Sequence, residues 1–181
     1  MKAVAHRHGL WRTQEAGMVL AGAAGIAVAM TVAAKLRFYL PWSPVPVTLQ
    51  TFVVLAAGAT LGLGVGAGGV ALYAALASAG LPVLAGPSLI GPTGGYVLGF
   101  VAAAALVSSA AGSRPLTILI AMLAAEALIL ACGAAWLAAW TGGSTGAAWH
   151  AGVAPFLFGD GLKLAAAWAC AVGYKARRST P

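Results

Sequence analysis

Between Arg37 and Arg114 the chain runs through 76 consecutive residues without a Lys, Arg, Asp or Glu. A water-exposed surface does not tolerate such a stretch, because solubility needs charges spread over the outside of the fold. Only 7% of the residues are charged and 61% are hydrophobic, against roughly 25% charged in an average soluble domain. Burial in lipid accounts for both figures. Hydrocarbon offers the backbone no hydrogen-bond partner, and a helix satisfies its own groups, so the expected fold class is an all-α membrane protein.

A spanning helix needs about 20 apolar residues, and dividing the chain at its charges and prolines yields about six spans in a single domain, residues 1–181. The first covers residues 16–34, whose 19 uncharged positions are long enough to span rather than serve as a cleavable leader. The second and third share the stretch between Pro46 and Pro82, with a turn placed in the glycine-rich segment 62–69. The fourth follows Pro92 and ends before Arg114. The fifth begins after Pro115 and ends near Trp140, and the sixth follows Pro155 and ends near Tyr174.

With six spans both termini lie on one side. That side and the fourth-to-fifth loop carry Lys2, Arg7, Arg12, Arg114, Lys175, Arg177 and Arg178, while the other carries only Lys35 and Arg37. The positive-inside rule then predicts cytoplasmic termini and a multi-pass protein of the cytoplasmic membrane. Trp42, Trp140 and Trp149 near the outer ends, with Trp11 and Tyr174 near the inner ones, fit aromatic belts at the two interfaces. The basic residues form no stripe with interleaved aromatics, so the net charge of +7 does not indicate nucleic acid. Cys132 and Cys170 sit alone in apolar runs and read as small buried hydrophobes, and His6, His8 and His150 lack metal-ligand spacing. No metal or cofactor is expected.

Three outer segments combine prolines, glycines and polar groups at membrane depth: residues 41–50, 81–96 and 155–163. Irregular backbone is tolerated there only when protein or a watery cavity surrounds it, so the three predict one cavity open to the outside. Asp160 and Lys163, the only charges in the sixth span before its basic end, share a helix face by their i, i+3 spacing. Charge inside a membrane costs about 2.5–3.5 kcal/mol on insertion scales, which favours a ligand site over lipid exposure. The alternative is an ion pair that merely orders the helix end. Thr93 is placed to cap the fourth span, with Gly94 and Gly95 letting a ligand approach its free N–H groups; a plain capped helix is the competing reading.

Glu126 lies in the fifth span with no sequence-local partner. It is expected to be protonated or paired within the bundle, in either a proton-coupling role or a structural hydrogen bond. Gly64, Gly66 and Gly69 match a dinucleotide pattern in letters only, since no strand precedes them and no acidic residue follows at the required distance. Gly17, Ala21, Gly25, Ala29 and Ala33 recur every fourth residue and form a small-residue face for a partner helix.

The stretches PVPVTLQT (44–51), GLPVLAG (80–86), GPTGGYVLGF (91–100) and PFLFGDGLK (155–163), in this order and spacing, resemble the BioY family. These are the biotin-specific substrate-binding subunits of energy-coupling factor transporters. The resemblance implies a six-helix protein that binds biotin from outside and works with a transmembrane coupling subunit and two cytoplasmic ATPases. It further implies that Asp160 and Lys163 contact the polar head of biotin. Thr93, Gly94, Gly95 and Tyr96 would line the facing wall, and the loop around Leu84 would cover the ligand. The face of Ala21, Gly25, Ala29 and Ala33 would dock on the coupling subunit. The chain has no P-loop of its own, so ATP hydrolysis of that type falls to a partner. Two other readings compete: a self-sufficient proton-coupled carrier in which Glu126 titrates, and a membrane-embedded enzyme using Asp160 as a base beside Lys163.

Overall fold

A computed structural model describes residues 2–178, with side chains from Glu15 to Arg178. The side chains of Lys2, His6, Arg7, His8, Trp11 and Arg12, which enter the charge count, the aromatic belts and the histidine reading, lie outside the described residues. Helix α1 (Lys2–Lys35) leads into a minimal antiparallel hairpin, β1 (Arg37–Phe38) and β2 (Val47–Thr48), with Arg37 opposite Thr48. Then follow α2 (Gln50–Gly62), a π-helical turn (Leu63–Ala67), α3 (Gly68–Ser78), α4 (Gly94–Ser109), α5 (Pro115–Thr141), α6 (Thr145–Gly152) and α7 (Leu157–Arg178).

The expected division into spans is what the structure builds, with two additions. Among the described residues, three helical stretches are long and apolar enough to cross a membrane: 15–35, 50–78 and 115–141; α6 and α7, bent by 54°, make a fourth if counted together. The stretch 50–78 is two antiparallel legs rather than one rod. Gly62 turns the chain with φ 68°, a left-handed conformation that costs glycine little. Beyond it the π turn folds back, so that a Cβ on Gly66 would stand 2.4 Å from the Ala57 carbonyl oxygen. Gln50 and Tyr73, at matching heights on the two legs, are hydrogen-bonded. The additions are the short hairpin and helix α6, which fall in segments without a long apolar run.

Helix α5 shows how its ends are set by sequence. Pro115 occupies the first turn, where its missing N–H costs nothing, and Gly142 closes the other end at φ 62°, its N–H bonding to the Ala138 carbonyl. At 1.5 Å per residue α2 and α4 reach only about 20–24 Å, less than the roughly 30 Å of a hydrocarbon core. The connecting segments 36–49 and 79–93 lie at one end of the bundle; Ser43, Val45, Val83, Leu84 and Ala85 are buried there while Phe38, Trp42 and Ile90 are exposed. Both segments contribute to the wall of the site, through Val45, Pro46 and Thr48 from one and Leu84, Ala85 and Thr93 from the other.

Small residues bring the helices together. Helix α4 packs closely on α5, where a Cβ on Gly133 would meet the Tyr96 ring at 2.2 Å and one on Gly99 would meet Ile129 Cα at 3.0 Å. Helix α1 packs on α3 through Gly69, whose added Cβ would clash with Ile26 and with the Ala23 carbonyl oxygen. Such contacts supply dispersion where lipid removes the hydrophobic drive between helices. Met30, Leu55, Tyr73, Val107, Ile118 and Met122 fill the interior. Met18, Leu98, Leu116, Ile120, Leu123 and Leu162 face outward, an apolar exterior that lipid covers and water would not.

Candidate functional site

The connecting segments, the starts of α2, α4 and α7, Tyr73 of α3 and the middle of α5 border a cavity with about 520 Å³ of space unfilled by atoms, the opening at its mouth included. Its floor and sides are apolar: Val97 and Phe100 from α4, Ile129 and Leu130 from α5, and Phe156 from the turn before α7. Polar groups converge from Thr48, Gln50, Thr51, Tyr73 and Thr93, together with Asp160 and Lys163. An apolar enclosure with a few placed polar groups is the ordinary form of a small-molecule site.

Asp160 and Lys163 are brought there by the start of α7. Pro155 lies in the turn between α6 and α7 rather than in the first helical turn, and the Asp160 N–H donates to the Phe156 carbonyl at 2.8 Å. Asp160 therefore stands in the first turn of α7, closer to the helix start than a helix opening at Pro155 predicts. Lys163 Nζ donates to Asp160 Oδ1 at 2.6 Å, with only 12% and 6% of the two side chains exposed. The pair is bonded together and lines the cavity, so both readings of the spacing meet in one geometry. One ammonium donor is used by Asp160, and Lys nitrogen carries three.

The GPTGGY segment divides its residues between two tasks. Thr93 and Tyr96 line the cavity. Tyr96 donates its hydroxyl to the Gly152 carbonyl at 2.5 Å and tilts its ring against Phe156, with centroids 6.2 Å apart. Thr93 holds the N-cap position of α4 at φ −96°, ψ −4°, and its hydroxyl makes no capping bond; a capping side chain needs an extended backbone there. Gly94 and Gly95 do not line the cavity. They are pressed against α5, where a Cβ on Gly95 would stand 2.2 Å from Trp136 Cβ and one on Gly94 would meet the Leu89 carbonyl oxygen at 2.0 Å. Their lack of a side chain lets α4 pack closely on α5. Trp136 completes this wall by donating Nε1–H to the Gly91 carbonyl at 2.9 Å.

Leu84 and Ala85 reach the cavity from segment 79–93. That segment is held from α1 and β1. Lys35 Nζ donates to the carbonyls of Pro82 and Leu84 at 2.8 and 2.9 Å, and Arg37 donates to the Ala85 carbonyl. Ser43 ties the opposite rim by donating to the Ala151 carbonyl at 2.6 Å.

Sequence reasoning missed Gln50 and Tyr73. Gln50 Nε2 donates to the Tyr73 hydroxyl at 2.8 Å, and both residues are buried. A lone glutamine opening an apolar helix is a signal for Gln50; nothing local marks Tyr73. The small-residue face of α1 is split. Gly17, Ala21 and Gly25 are exposed, Ala29 is half-buried and Ala33 is buried within the bundle.

Comparison with known proteins gives concordant results. The BioY family model matches residues 6–180. A probable biotin transporter BioY of Pyrococcus horikoshii is 38% identical over 130 residues, covering 68% of this chain and 76% of that one. The biotin transporter BioY of Thermotoga maritima is 42% identical over 73 residues, 38% of this chain and 43% of that one. That of Rhodobacter capsulatus is 48% identical over 65 residues, 33% of this chain and 34% of that one. The crystal structure of the S-component for biotin from an ECF-type ABC transporter superposes with a TM-score of 0.78 at 24% identity, covering 93% of this chain and 94% of that one. With a family match across nearly its whole length and the corresponding fold, the chain belongs to the BioY family.

Proposed function

We propose that this membrane protein captures biotin and delivers it for uptake as the substrate-binding subunit of an energy-coupling factor transporter. The observation that carries the reading is the buried Asp160–Lys163 pair, set in an apolar cavity beside Gln50, Tyr73 and Thr93. Biotin has a ureido head with two N–H donors and a carbonyl, an apolar ring and chain, and a carboxylate. A carboxylate accepts the ureido N–H groups, an ammonium donates to an oxygen anion or carbonyl, and the apolar walls take the ring and chain. The relatives named as biotin transporters support the same substrate.

In this reading Asp160, Lys163, Thr93 and Tyr96 contact or enclose the ligand and Leu84 covers it. Gly94 and Gly95 hold the wall behind Tyr96. The termini face the cytoplasm and the cavity opens outward, as the distribution of basic residues favours. The open part of the α1 face, Ala21 and Gly25, docks on a transmembrane coupling subunit that two cytoplasmic ATPases drive. Membership in a transporter family points away from an enzyme using Asp160 as a base.

Titration calorimetry of the purified protein tests the assignment. Biotin is expected to bind tightly, and an analogue lacking the ureido carbonyl to bind far more weakly. Equal heats from the two, or no heat from either, overturn it.

A further inference from the structure

At the end of the bundle away from the Asp160–Lys163 cavity lies a second recess, with about 760 Å³ of space unfilled by atoms, the opening to the outside included. Helix α2 runs between the two: Gln50 and Thr51 at its start line one, and residues 59–62 at its end line the other. The turn between α4 and α5, at Ala111 and Gly112, and the last turns of α7 complete the recess. Lys175 and Arg178 bring positive charge into it. Lys175 Nζ donates to the Ser113 carbonyl at 2.8 Å, which fixes the ammonium beside that turn. The Arg178 guanidinium lies over the Tyr174 ring, 5.6 Å from its centroid, and donates to the tyrosine hydroxyl at 3.4 Å. None of the chain's three acidic side chains lines the recess: Asp160 is bonded to Lys163, Glu126 is buried within α5 and Glu15 belongs to α1.

We propose that this recess seats the phosphodiester headgroup of an anionic phospholipid. Its cations are positioned by neutral groups, a carbonyl and a tyrosine, so the recess keeps a positive potential that an anion neutralises. The Arg178 guanidinium presents further N–H groups in a planar fork that matches phosphate oxygens, and the Lys175 ammonium adds a point charge beside it. The rim selects a lipid over a soluble phosphate. Leu61 lines the recess and is exposed, and Leu63 just beyond Gly62 and Leu116 in the first turn of α5 are exposed as well. Acyl chains therefore meet apolar surface where the headgroup meets the cations, the arrangement by which basic pockets between helices hold lipid headgroups. A lipid seated there bridges the end of α7 and the α4–α5 turn. The seat is separate from the biotin site and does not depend on it.

The test uses the full-length protein in detergent, native mass spectrometry to count bound lipid, and three probes: phosphatidylglycerol, phosphatidylcholine with the same acyl chains, and glycerol 3-phosphate. The unsubstituted protein is expected to bind phosphatidylglycerol about tenfold or more tightly than phosphatidylcholine, and glycerol 3-phosphate at equal concentration is expected not to displace it. Lys175→Gln with Arg178→Gln lowers phosphatidylglycerol affinity by about tenfold, whereas Lys175→Arg with Arg178→Lys, which keeps both charges, stays within about twofold. Arg177→Gln removes a charge that does not line the recess and also stays within about twofold. Arg178→Gln alone leaves the bond from Lys175 to Ser113 in place; it is expected to keep the melting temperature of the lipid-free protein and to lose about threefold in affinity. Equal affinity for the two lipids, displacement by glycerol 3-phosphate, or the same loss in Arg177→Gln overturns the proposal, the last because it makes the attraction a property of the whole basic end. Loss of co-purification with a coupling subunit in the double Gln variant, at unchanged lipid affinity, gives the recess to a protein partner and overturns it as well.

Discussion

Gln50 and Tyr73 face each other across the turn at Gly62, with Gln50 Nε2 donating to the tyrosine hydroxyl at 2.8 Å inside the cavity wall. The bond ties the two short legs α2 and α3 together in the wall that also carries the Asp160–Lys163 pair, while the Gln50 side-chain oxygen accepts from the Thr48 hydroxyl at 3.4 Å. Replacing Tyr73 with Phe leaves a buried amide N–H without its acceptor, a cost of about 1–2 kcal/mol. Biotin affinity is expected to fall roughly five- to thirtyfold in a protein that still folds, measured by calorimetry. An affinity equal to that of the unsubstituted protein would show that the pair serves only the hairpin.

Asp160 and Lys163 are expected to separate binding from stability. Removing one member of a buried ion pair leaves an uncompensated charge and costs about 3–5 kcal/mol, whereas removing both leaves none. Each single alanine variant should lose biotin affinity by at least about a hundredfold and melt at lower temperature. The double alanine variant should recover much of the thermal stability and none of the binding. Recovery of binding in the double variant would place the ligand elsewhere.

The loop carrying Leu84 and Ala85 hangs on Lys35 and Arg37, which grip three of its carbonyls. Lys35 is exposed, so screening by water reduces what each bond contributes. Substituting both residues with Met keeps the apolar stems and removes the donors. Biotin dissociation, followed by stopped flow, should accelerate by about three- to tenfold with a smaller change in association. Unchanged dissociation would mean that the loop is held by its packing alone.

Gly25 has nothing within 4 Å of an added Cβ, so Gly25→Leu is expected to leave folding and biotin binding by the isolated subunit intact. If this face meets a coupling subunit, the same variant blocks uptake in cells that contain the complete transporter, because the added side chain holds two helix backbones apart. Normal uptake with normal expression would move the docking surface away from this stripe.

Gly95 behaves in the opposite way. Its added Cβ would meet Trp136 Cβ and the Cys132 carbonyl oxygen at 2.2 and 2.4 Å, atoms that cannot move aside without shifting α5. Gly95→Val should destabilise the protein by more than about 2 kcal/mol, seen as a lowered melting temperature even without ligand. A ligand-contact role alone would instead reduce affinity at unchanged melting temperature.

Hydropathy, charge and punctuation by Pro and Gly determined from the sequence alone that this is a helical membrane protein, where its spans run and that the chain reverses near Gly62, because lipid leaves an apolar backbone few ways to satisfy its hydrogen bonds. The i, i+3 spacing likewise placed Asp160 and Lys163 together, since a helix turn is local geometry. Direction across helices was decided only by the tertiary structure. Gly94 and Gly95 turn toward α5 while their neighbours Thr93 and Tyr96 turn into the cavity; a one-residue step on a helix rotates a side chain by about 100°, and only packing says which face meets which partner. Gln50 finds Tyr73 from 23 positions away, and Trp136 of α5 finds the Gly91 carbonyl 45 positions back. Such contacts depend on how short legs, tight glycine seams and two connecting loops close around one space, which no local pattern encodes.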